Sequence, residues 1–252
     1  MRLEATKIYG ERNCGTNYLR NLIQRNLNTR LLPGVAPRRV RRLFRVYPVL
    51  HERLIDAWFD ITFRYNLGWK HMFAPDIDRL QRTTVSIDRT LFIFLSKNPY
   101  AWLLSLQRHP YHFHGPTSNF NVFIRSKWPT VGRENHPAPF PNLVVMWNQK
   151  NISYLQLAHN LPHSLILRYE DMVADPESMI RTIAEELEIS LKNNTFTNVH
   201  ASVKGEEDKD FAWYRTYYQE ERWREQLDDD ALRFINSHLD HDLLYTLGYD
   251  RV

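Results

Sequence analysis

A short strand, a glycine-bounded loop and a helix follow one another between Lys7 and Ile23. The loop spans residues 10–17 (GERNCGTN), and apolar residues recur at helical spacing from Tyr18 onward. In a unit of this kind the N–H groups of the loop converge on an anion, and the positive end of the helix macrodipole faces it. The sequence therefore predicts a phosphate-binding loop, with a tight turn between strand and helix as the alternative.

The two glycines of this loop have the spacing of a Walker A nucleotide-binding loop, GxxxxGK[ST]. Thr16, however, stands where that motif has the lysine that grips phosphate, and Asn17 stands where it has the hydroxyl that holds Mg²⁺. The loop can hold a phosphate, but it lacks the parts for metal-assisted hydrolysis of a nucleoside triphosphate. A P-loop kinase or NTPase is therefore disfavoured, although Mg²⁺-dependent hydrolysis of ATP would revive it.

The whole chain of 252 residues has room for a sizeable core and carries a formal net charge of +4. This mildly basic balance suits an anionic ligand. The single cysteine, Cys14, excludes an intrachain disulfide and favours a reducing compartment. No apolar run reaches the roughly 18 residues that a membrane span needs, and the first ten residues lack the apolar stretch of a signal peptide. These features predict a cytoplasmic protein.

Two further strand-and-helix units follow the first. Residues 91–96 form an unbroken apolar run, typical of a central parallel strand covered on both faces, and a helix follows residues 97–99 (KNP). Residues 164–169 form another such run, and a second proline-started helix follows it. We also interpret residues 67–73 as a short strand. Strands that alternate with helices predict one α/β domain over residues 1–252, with a parallel sheet.

Residues 30–65 form a basic segment that prolines break into short helical pieces. Its basic cluster comprises Arg30, Arg38, Arg39, Arg41, Arg42 and Arg45. Three interpretations of this helical insertion are open: a solvated face, a surface for an acidic acceptor, and weak contact with a membrane surface through residues 38–59. Nucleic acid is not expected as a partner, because the basic residues do not continue as a track elsewhere.

Residues 108–142 are rich in proline, histidine and aromatic residues. A loop of this length is usually functional or disordered, and its aromatic content argues against disorder. Its histidines are His109, His112, His114 and His136. They have no cysteine partner and do not form the HExxH signature, so we expect no metal site. We expect this segment to be an acceptor-binding loop or lid.

Three features now occur in order: a Walker-like loop without its lysine, a strand that ends in Lys97 with Ser105 eight residues later, and the sequence Leu167–Asp171 (LRYED) before a proline-started helix. Together they resemble the sulfotransferase family that uses 3′-phosphoadenosine 5′-phosphosulfate (PAPS). The resemblance spans most of the chain from residue 7. It implies a P-loop NTPase-like, three-layer α/β fold around a central parallel sheet. It also implies transfer of a sulfuryl group to a hydroxyl or amine, leaving 3′-phosphoadenosine 5′-phosphate (PAP), without a metal.

The resemblance implies a donor site made of separate stretches of chain. The loop that holds the 5′-phosphosulfate corresponds to Arg12, Asn13, Cys14, Gly15, Thr16, Asn17 and Tyr18, of which Tyr18 would lie against adenine. Lys97 and Ser105 correspond to the 3′-phosphate site, where the family more often has arginine than lysine. Tyr169 corresponds to a residue that lines the adenine pocket. Lys204 and Gly205 correspond to the end of an Arg-Lys-Gly motif, whose arginine is Val203 here.

The catalytic residues are implied less directly. Cytosolic small-molecule sulfotransferases carry Lys-x-His at the end of a strand, whereas this chain has Lys70 and His71 with no residue between them. In a strand, that shift would turn the imidazole to the other face. We favour His71 as the base, with Lys70 and Arg12 stabilising the charge that develops during transfer. Glu11 is the alternative base, because some carbohydrate sulfotransferases use a glutamate.

The acceptor is expected to be a glycan or glycolipid, or else a small hydroxyl compound. Sugars stack on aromatic faces such as those in residues 108–142, and the basic cluster suits an acidic group. A nucleotide-binding module that has kept the fold and lost the chemistry is a further interpretation, because the chain departs from the family at Asn13, His71 and Val203.

Overall fold

The computed structural model describes residues 3–46, 50–201 and 209–252. Within these residues there are four strands: β1 (Ala5–Tyr9), β2 (Arg30–Leu31), β3 (Thr90–Ser96) and β4 (Ser164–Arg168). They form one parallel sheet in the order β2-β1-β3-β4. The register pairs Tyr9 with Phe94 and Ser96 with Arg168, so the carboxyl ends of the three longer strands meet at one edge of the sheet.

Helices supply the crossovers that parallel strands require. Between β1 and β3 lie α1 (Thr16–Asn26), α2 (Arg38–Phe44), α3 (His51–Asn66) and α4 (Ile77–Gln81). Between β3 and β4 lie α5 (Pro99–Arg108), α6 (Phe120–Arg125) and α7 (Leu143–His159). After β4 come α8 (Tyr169–Ala174), α9 (Pro176–Glu186), α10 (Phe211–Gln219), α11 (Asp229–His238) and α12 (His241–Thr246). None of the described helices is long and apolar enough to cross a membrane.

The side chains of β3 divide between two apolar clusters, because successive residues of a strand point to opposite faces. Leu91, Ile93 and Leu95 pack with α1, α5, α8 and α9. Phe92 and Phe94 pack on the other face with α3 and α7. Helices therefore cover both faces of a central parallel sheet, and the predicted three-layer α/β fold is confirmed.

The strands β1, β3 and β4 lie where the apolar runs predict them. The predicted strand over residues 67–73 is wrong, because these residues form turns. Leu67 (φ 60°) and Gly68 (φ 84°) both have left-handed backbone conformations, and this ends α3 and breaks the extended chain. The run at 164–169 also ends one residue early, since Tyr169 already begins α8.

The segment of residues 30–65 is anchored to the sheet by a buried lysine. It begins as the edge strand β2, which the sequence does not predict, and continues as α2 and α3. Lys7 of β1 is fully buried, and its Nζ donates hydrogen bonds to the carbonyls of Asn66 (2.6 Å), Gly68 (2.6 Å) and Pro33 (3.1 Å). One ammonium group thus ties both ends of the segment to β1.

The segment of residues 108–142 is packed against the body of the protein. It contains α6 and a 3₁₀ turn at Gly132–Glu134. Phe113, Phe123 and Trp128 are buried, and the rings of Phe113 and Trp128 stack with centroids 5.4 Å apart. The ring of His136 stacks on Phe140 at 4.3 Å. Within the described residues no group of three or more histidine, cysteine or acidic side chains is placed to hold a metal ion.

Candidate functional site

The loop of residues 10–15 crosses the edge of the sheet where β1 ends and leads into α1. Asn13 (φ 65°) and Gly15 (φ 86°) both adopt left-handed conformations, and no side chain caps the N-terminus of α1. The first N–H groups of this 11-residue helix are therefore available to an anion. Gly15 is needed for a second reason, since a Cβ here would lie 2.3 Å from the ring of Tyr169.

A cleft of about 530 Å³ opens beside this loop, and we call it the aromatic cleft. Besides Asn13 and Gly15 of the loop, its walls include Tyr18, Lys97, Tyr169, Phe211, Tyr214 and Tyr218. The ring of Tyr18 stacks on Phe211, with centroids 6.2 Å apart and an interplanar angle of 22°. A cleft with such walls suits a planar aromatic base.

Among the described residues that line the aromatic cleft, Lys97 is the one cation. Its Nζ donates hydrogen bonds to Ser105 Oγ (2.9 Å) and to the hydroxyl of Tyr218 (2.5 Å). It also lies 4.7 Å from the ring centroid of Tyr169. Burial lowers the pKa of Lys97 to about 8, although the charge of the nearby Glu170 opposes that shift. No carboxylate of the described residues forms an ion pair with Lys97, so its charge is available to an anionic ligand.

The turn that carries Lys70 and His71 brings both side chains to the loop. Lys70 Nζ donates to Asn17 Oδ1 at 2.5 Å, and His71 Nδ1 lies 2.6 Å from the carbonyl oxygen of Gly10. The backbone adds a further contact between the loop and the turn, in which the N–H of Gly10 donates to the carbonyl of Lys70 at 2.9 Å. A regular strand would have sent the two side chains to opposite faces. Because residues 67–73 form turns instead, Lys70 and His71 contact opposite ends of the same loop, at Asn17 and Gly10.

The environment of His71 keeps its imidazole neutral. Burial, followed by the charges of Lys70 and Arg12, lowers the pKa of His71 well below its usual value. Because Nδ1 faces the carbonyl of Gly10, the neutral ring carries its proton on Nδ1 and leaves Nε2 unprotonated. Burial and then Arg20 lower the pKa of Lys70 to about 8. His71 is therefore neutral near pH 7, with the lone pair of Nε2 available to accept a hydrogen bond.

Arg12 and Glu11 belong to a fully buried group of four charges, together with Glu134 and Lys150. Arg12 Nη1 lies 2.7 Å from Glu11 Oε1 and 2.9 Å from Glu134 Oε1. Lys150 Nζ lies 2.9 Å from a carboxylate oxygen of each glutamate. Lys150 and Arg12 hold the pKa of Glu134 well below its usual range, although burial alone would raise it. We call this group the charge quartet.

The charge quartet joins the loop to the turn that carries His71. Lys150 Nζ donates to the carbonyl oxygen of His71 at 2.5 Å, and the N–H of Phe73 donates to the carbonyl of Glu134 at 2.7 Å. The guanidinium of Arg12 also lies over the ring of Trp69, 4.7 Å from its centroid. Both glutamates and both cations are engaged with each other, which suits a positioning role better than direct contact with a ligand.

The predicted residues fall into four groups by position. Asn13, Gly15, Tyr18, Lys97 and Tyr169 line the aromatic cleft, and Ser105 lies behind Lys97. Thr16 and Lys70 line a different cleft on the other side of α1. Cys14 is buried in the core, which raises the pKa of its thiol. Lys204 and Gly205 lie outside the described residues.

Sequence reasoning missed Tyr218, Phe211, Glu134 and Lys150. Lys150 gives no clear signal in the sequence, because it lies among the polar residues Asn148, Gln149 and Asn151 of α7. Glu134 gives no clear signal either, because it lies in a short turn among polar residues. Tyr218 and Phe211 lie more than a hundred residues from Lys97 along the chain, and only the fold brings them together.

Comparison with known proteins agrees with this geometry. A family model described as the sulfotransferase domain matches residues 143–242. The structure is also similar to the sulfotransferase domain from the Synechococcus PCC 7002 olefin synthase, with a TM-score of 0.54 and 15% identity over 98% of this chain and 94% of that one. The fold is that of a sulfotransferase domain.

A second solved sulfotransferase, from Alicyclobacillus acidocaldarius, gives a TM-score of 0.50 and 12% identity over 99% of this chain and 98% of the other. No curated protein matches the sequence at a significant level. These findings confirm the resemblance to sulfotransferases. The family match begins after the loop of residues 10–15, Lys70 and Lys97, so it includes none of these residues.

Proposed function

We propose that this chain transfers a sulfuryl group from PAPS to a hydroxyl, or to an amine, of an acceptor. One observation carries the proposal: the uncapped N-terminus of α1 and the unpaired cation Lys97 open on the same aromatic cleft. A ligand that fits both needs a planar base and two separate phosphate groups. PAPS and PAP have that composition.

The residues of the aromatic cleft fit the donor part by part. The N–H groups at the start of α1 would hold the 5′-phosphate, as helix N-termini bind phosphates. Lys97, backed by Ser105, would hold the 3′-phosphate and so favour this nucleotide over ATP. Tyr18 and Phe211 offer stacked rings to the adenine. Asn13 Oδ1 is buried without a hydrogen-bond partner among the described residues, which suits a donor group of the ligand.

The transfer needs a group that removes a proton and a group that stabilises charge. PAPS supplies an activated sulfuryl group whose bond to the 5′-phosphate breaks as a bond to the acceptor oxygen forms. His71 Nε2 takes the proton that the acceptor hydroxyl loses. Lys70, held at Asn17, stabilises the negative charge that passes to the 5′-phosphate of PAP. Arg12 and Glu11, engaged in the charge quartet, hold the loop in place.

The acceptor that we propose is a hydroxyl of a glycan or glycolipid. The segment of residues 108–142 supports this, because it touches the loop where the reacting groups would lie. Asn13 Nδ2 donates to the carbonyl of His109 at 3.3 Å, and the ring of Tyr111, 56% exposed, lies close enough to Arg12 and Glu11 for their charges to affect its pKa. An exposed ring near the loop offers a face on which a sugar can stack.

Calorimetry with PAP tests the cofactor without knowledge of the acceptor. We expect micromolar binding of PAP, weaker binding of 5′-AMP by roughly tenfold or more because the contact to Lys97 is lost, and no effect of Mg²⁺. Binding of ATP–Mg²⁺ without binding of PAP would replace the proposal with a P-loop NTPase. If neither nucleotide binds, the loop is only a turn.

Substitution of His71 tests the chemistry. We expect His71→Ala to lower turnover by about 10²- to 10⁴-fold, the usual contribution of a general base, while the affinity for PAP stays unchanged. Release of PAP from PAPS in the presence of a panel of sugars, glycolipids and phenols measures turnover, and His159→Ala, at the exposed end of α7, is the matched control. Full turnover in His71→Ala would assign the base to another residue. PAP binding without turnover in the unmodified protein would make the chain a binding module.

A further inference from the structure

A second cleft lies on the other side of α1 from the aromatic cleft. Gly15 and Tyr18 line the aromatic cleft, whereas Thr16 and Arg20 line the second one. At 3.6 residues per turn the two pairs point roughly 150° apart around the helix. The clefts therefore approach the N-terminus of α1 from opposite sides, and a ligand bound at that N-terminus can reach both.

The second cleft combines apolar walls with unpaired positive charge. Leu31, Leu32 and Val35 form its apolar wall, and Arg20 and Lys70 supply the charge. None of the described residues that line it is acidic. Neither cation forms an ion pair with a carboxylate of the described residues, and Arg20 is close enough to Lys70 to lower its pKa. Two cations that repel each other beside an apolar wall favour an anionic, partly apolar ligand.

The positions at which Lys70 and Arg20 lie along α1 set the distance between two groups of a bound acceptor. Lys70 contacts Asn17 in the first turn of the helix, beside the place where the transferable group of a donor would lie. Arg20 follows Asn17 by three residues, which is about 4.5 Å along the helix axis. An acceptor whose hydroxyl lies beside Lys70 would place a second group beside Arg20 at about that distance.

We propose that the second cleft is the part of the acceptor site that selects a hydroxyl compound with an anionic group about 4.5 Å from the reacting hydroxyl, bound by Arg20. The inference rests on the proposed function, since it takes the donor to lie at the N-terminus of α1. Arg20 is then a specificity-determining residue that contacts the acceptor and not the donor.

The test uses the protein loaded with PAP and two pairs of probes, each with and without a carboxylate. Phenyl β-D-glucuronide is compared with phenyl β-D-glucoside, and 3-(4-hydroxyphenyl)propionate with 4-propylphenol. We expect the carboxylate of one pair or both to improve binding, measured by calorimetry, by roughly tenfold to a hundredfold. The pair that shows the larger gain distinguishes a sugar acceptor from a phenolic one.

Arg20→Gln should remove this gain and leave the affinity for PAP unchanged, and Arg233→Gln, an exposed change on α11, should alter neither. Val35→Trp, which fills the cleft with a larger side chain, should block both probes of a pair and spare PAP.

The proposal is overturned if the carboxylate gives no gain in either pair, or if no probe binds. It is also overturned if Arg20→Gln weakens PAP as much as it weakens the probes, because Arg20 would then belong to the donor site. Failure of PAP itself to bind the unmodified protein is a separate result, and it removes the proposed function instead.

Discussion

Lys97 is a buried cation whose hydrogen-bond partners are two hydroxyl groups and the carbonyl of Asn13, all of them uncharged, and this decides how it can act. An ammonium surrounded by Ser105 and Tyr218 is desolvated without being neutralised. Its pKa of about 8 shows that the charged form is held only weakly when no ligand is present. A phosphate would supply the missing negative charge, so the ligand and the proton on Lys97 are expected to bind together.

The first prediction at this scale concerns affinity. Lys97→Ala should weaken the binding of PAP by roughly tenfold to over a hundredfold, because a charge-assisted hydrogen bond of about 1.5–3 kcal/mol is lost. Calorimetry measures the change, and 5′-AMP serves as the internal control because it has no 3′-phosphate to lose. Equal losses for PAP and 5′-AMP would place the 3′-phosphate elsewhere.

The second prediction concerns pH. Lys97 must be protonated to bind a phosphate, so the affinity for PAP should be steady just below its pKa of about 8 and fall as the pH rises above it. Above that pH the affinity for PAP should fall by about tenfold per pH unit, until the pKa of Lys97 in the complex is reached. Lys97→Arg is the matched control, since a guanidinium stays protonated throughout this range. A slope that persists in Lys97→Arg would belong to Lys70, whose pKa is also about 8.

Single elements of this fold differ in how well the sequence predicts them. The strand β3 is readable because all seven of its residues are buried, which leaves one unbroken apolar run. The strand β2 is not readable, since two residues are too few to show a period. Residues 67–73 are wrongly predicted as a strand because their apolar side chains follow a pattern typical of strands. Leu67 and Gly68 have φ angles that no strand contains.

The residues of the candidate site also differ in how well the sequence predicts them. Gly15 and Lys97 can be predicted from the sequence because they lie at strand-to-helix junctions, and Ser105 can be predicted because it follows Lys97 by eight residues within α5. The charge quartet cannot be predicted from the sequence, because Glu11 lies in a loop and Glu134 in a short turn, where residues show no regular period. Its four members are brought together by tertiary structure alone. Local pattern therefore predicts the candidate donor-binding residues. Tertiary packing decides which of these residues form ion pairs within the protein instead.

The charge quartet gives a prediction about stability. Lys150→Met leaves two buried carboxylates with one cation, so it should lower the free energy of unfolding by about 3–5 kcal/mol. Denaturant unfolding measures this, and Lys127→Met on an exposed segment should change the free energy of unfolding by less than about 0.5 kcal/mol.

A double substitution separates charge from packing. Lys150→Met combined with Glu134→Gln removes one charge of each sign, so its cost should be smaller than the sum of the two single costs. Costs that add without interaction would show that Lys150 matters only as volume in the core.

The whole molecule presents a basic surface on the segment of residues 30–65. In α2 no residue is buried, and Leu43 and Val46 are exposed beside Arg39, Arg41, Arg42 and Arg45. An exposed apolar side chain among arginines is typical of contact with an anionic surface. Weak membrane contact through residues 38–59 stays a prediction, and so does the alternative of a solvated face.

Vesicle sedimentation tests this surface. Because each arginine near an anionic membrane contributes about 1 kcal/mol, Arg41→Gln with Arg42→Gln should lower partition onto phosphatidylserine vesicles at low salt by about tenfold or more. Binding should weaken as salt is added. Arg181→Gln with Arg233→Gln, on exposed helices elsewhere, is the control of equal charge. Equal partition of the two double variants would favour the solvated face.

The charge quartet also orders events during biosynthesis. Glu11 and Arg12 leave the ribosome well before their partners Glu134 and Lys150, which follow more than a hundred residues later. Until α7 has emerged and packed, the nascent loop carries two ionised side chains without their distant counterparts, and the turn at His71 lacks the ammonium that fixes its carbonyl. A nascent chain that stops short of Lys150 should therefore be unable to retain the nucleotide. The loop that we propose to bind the donor is therefore synthesised well before the residues that fix it in place.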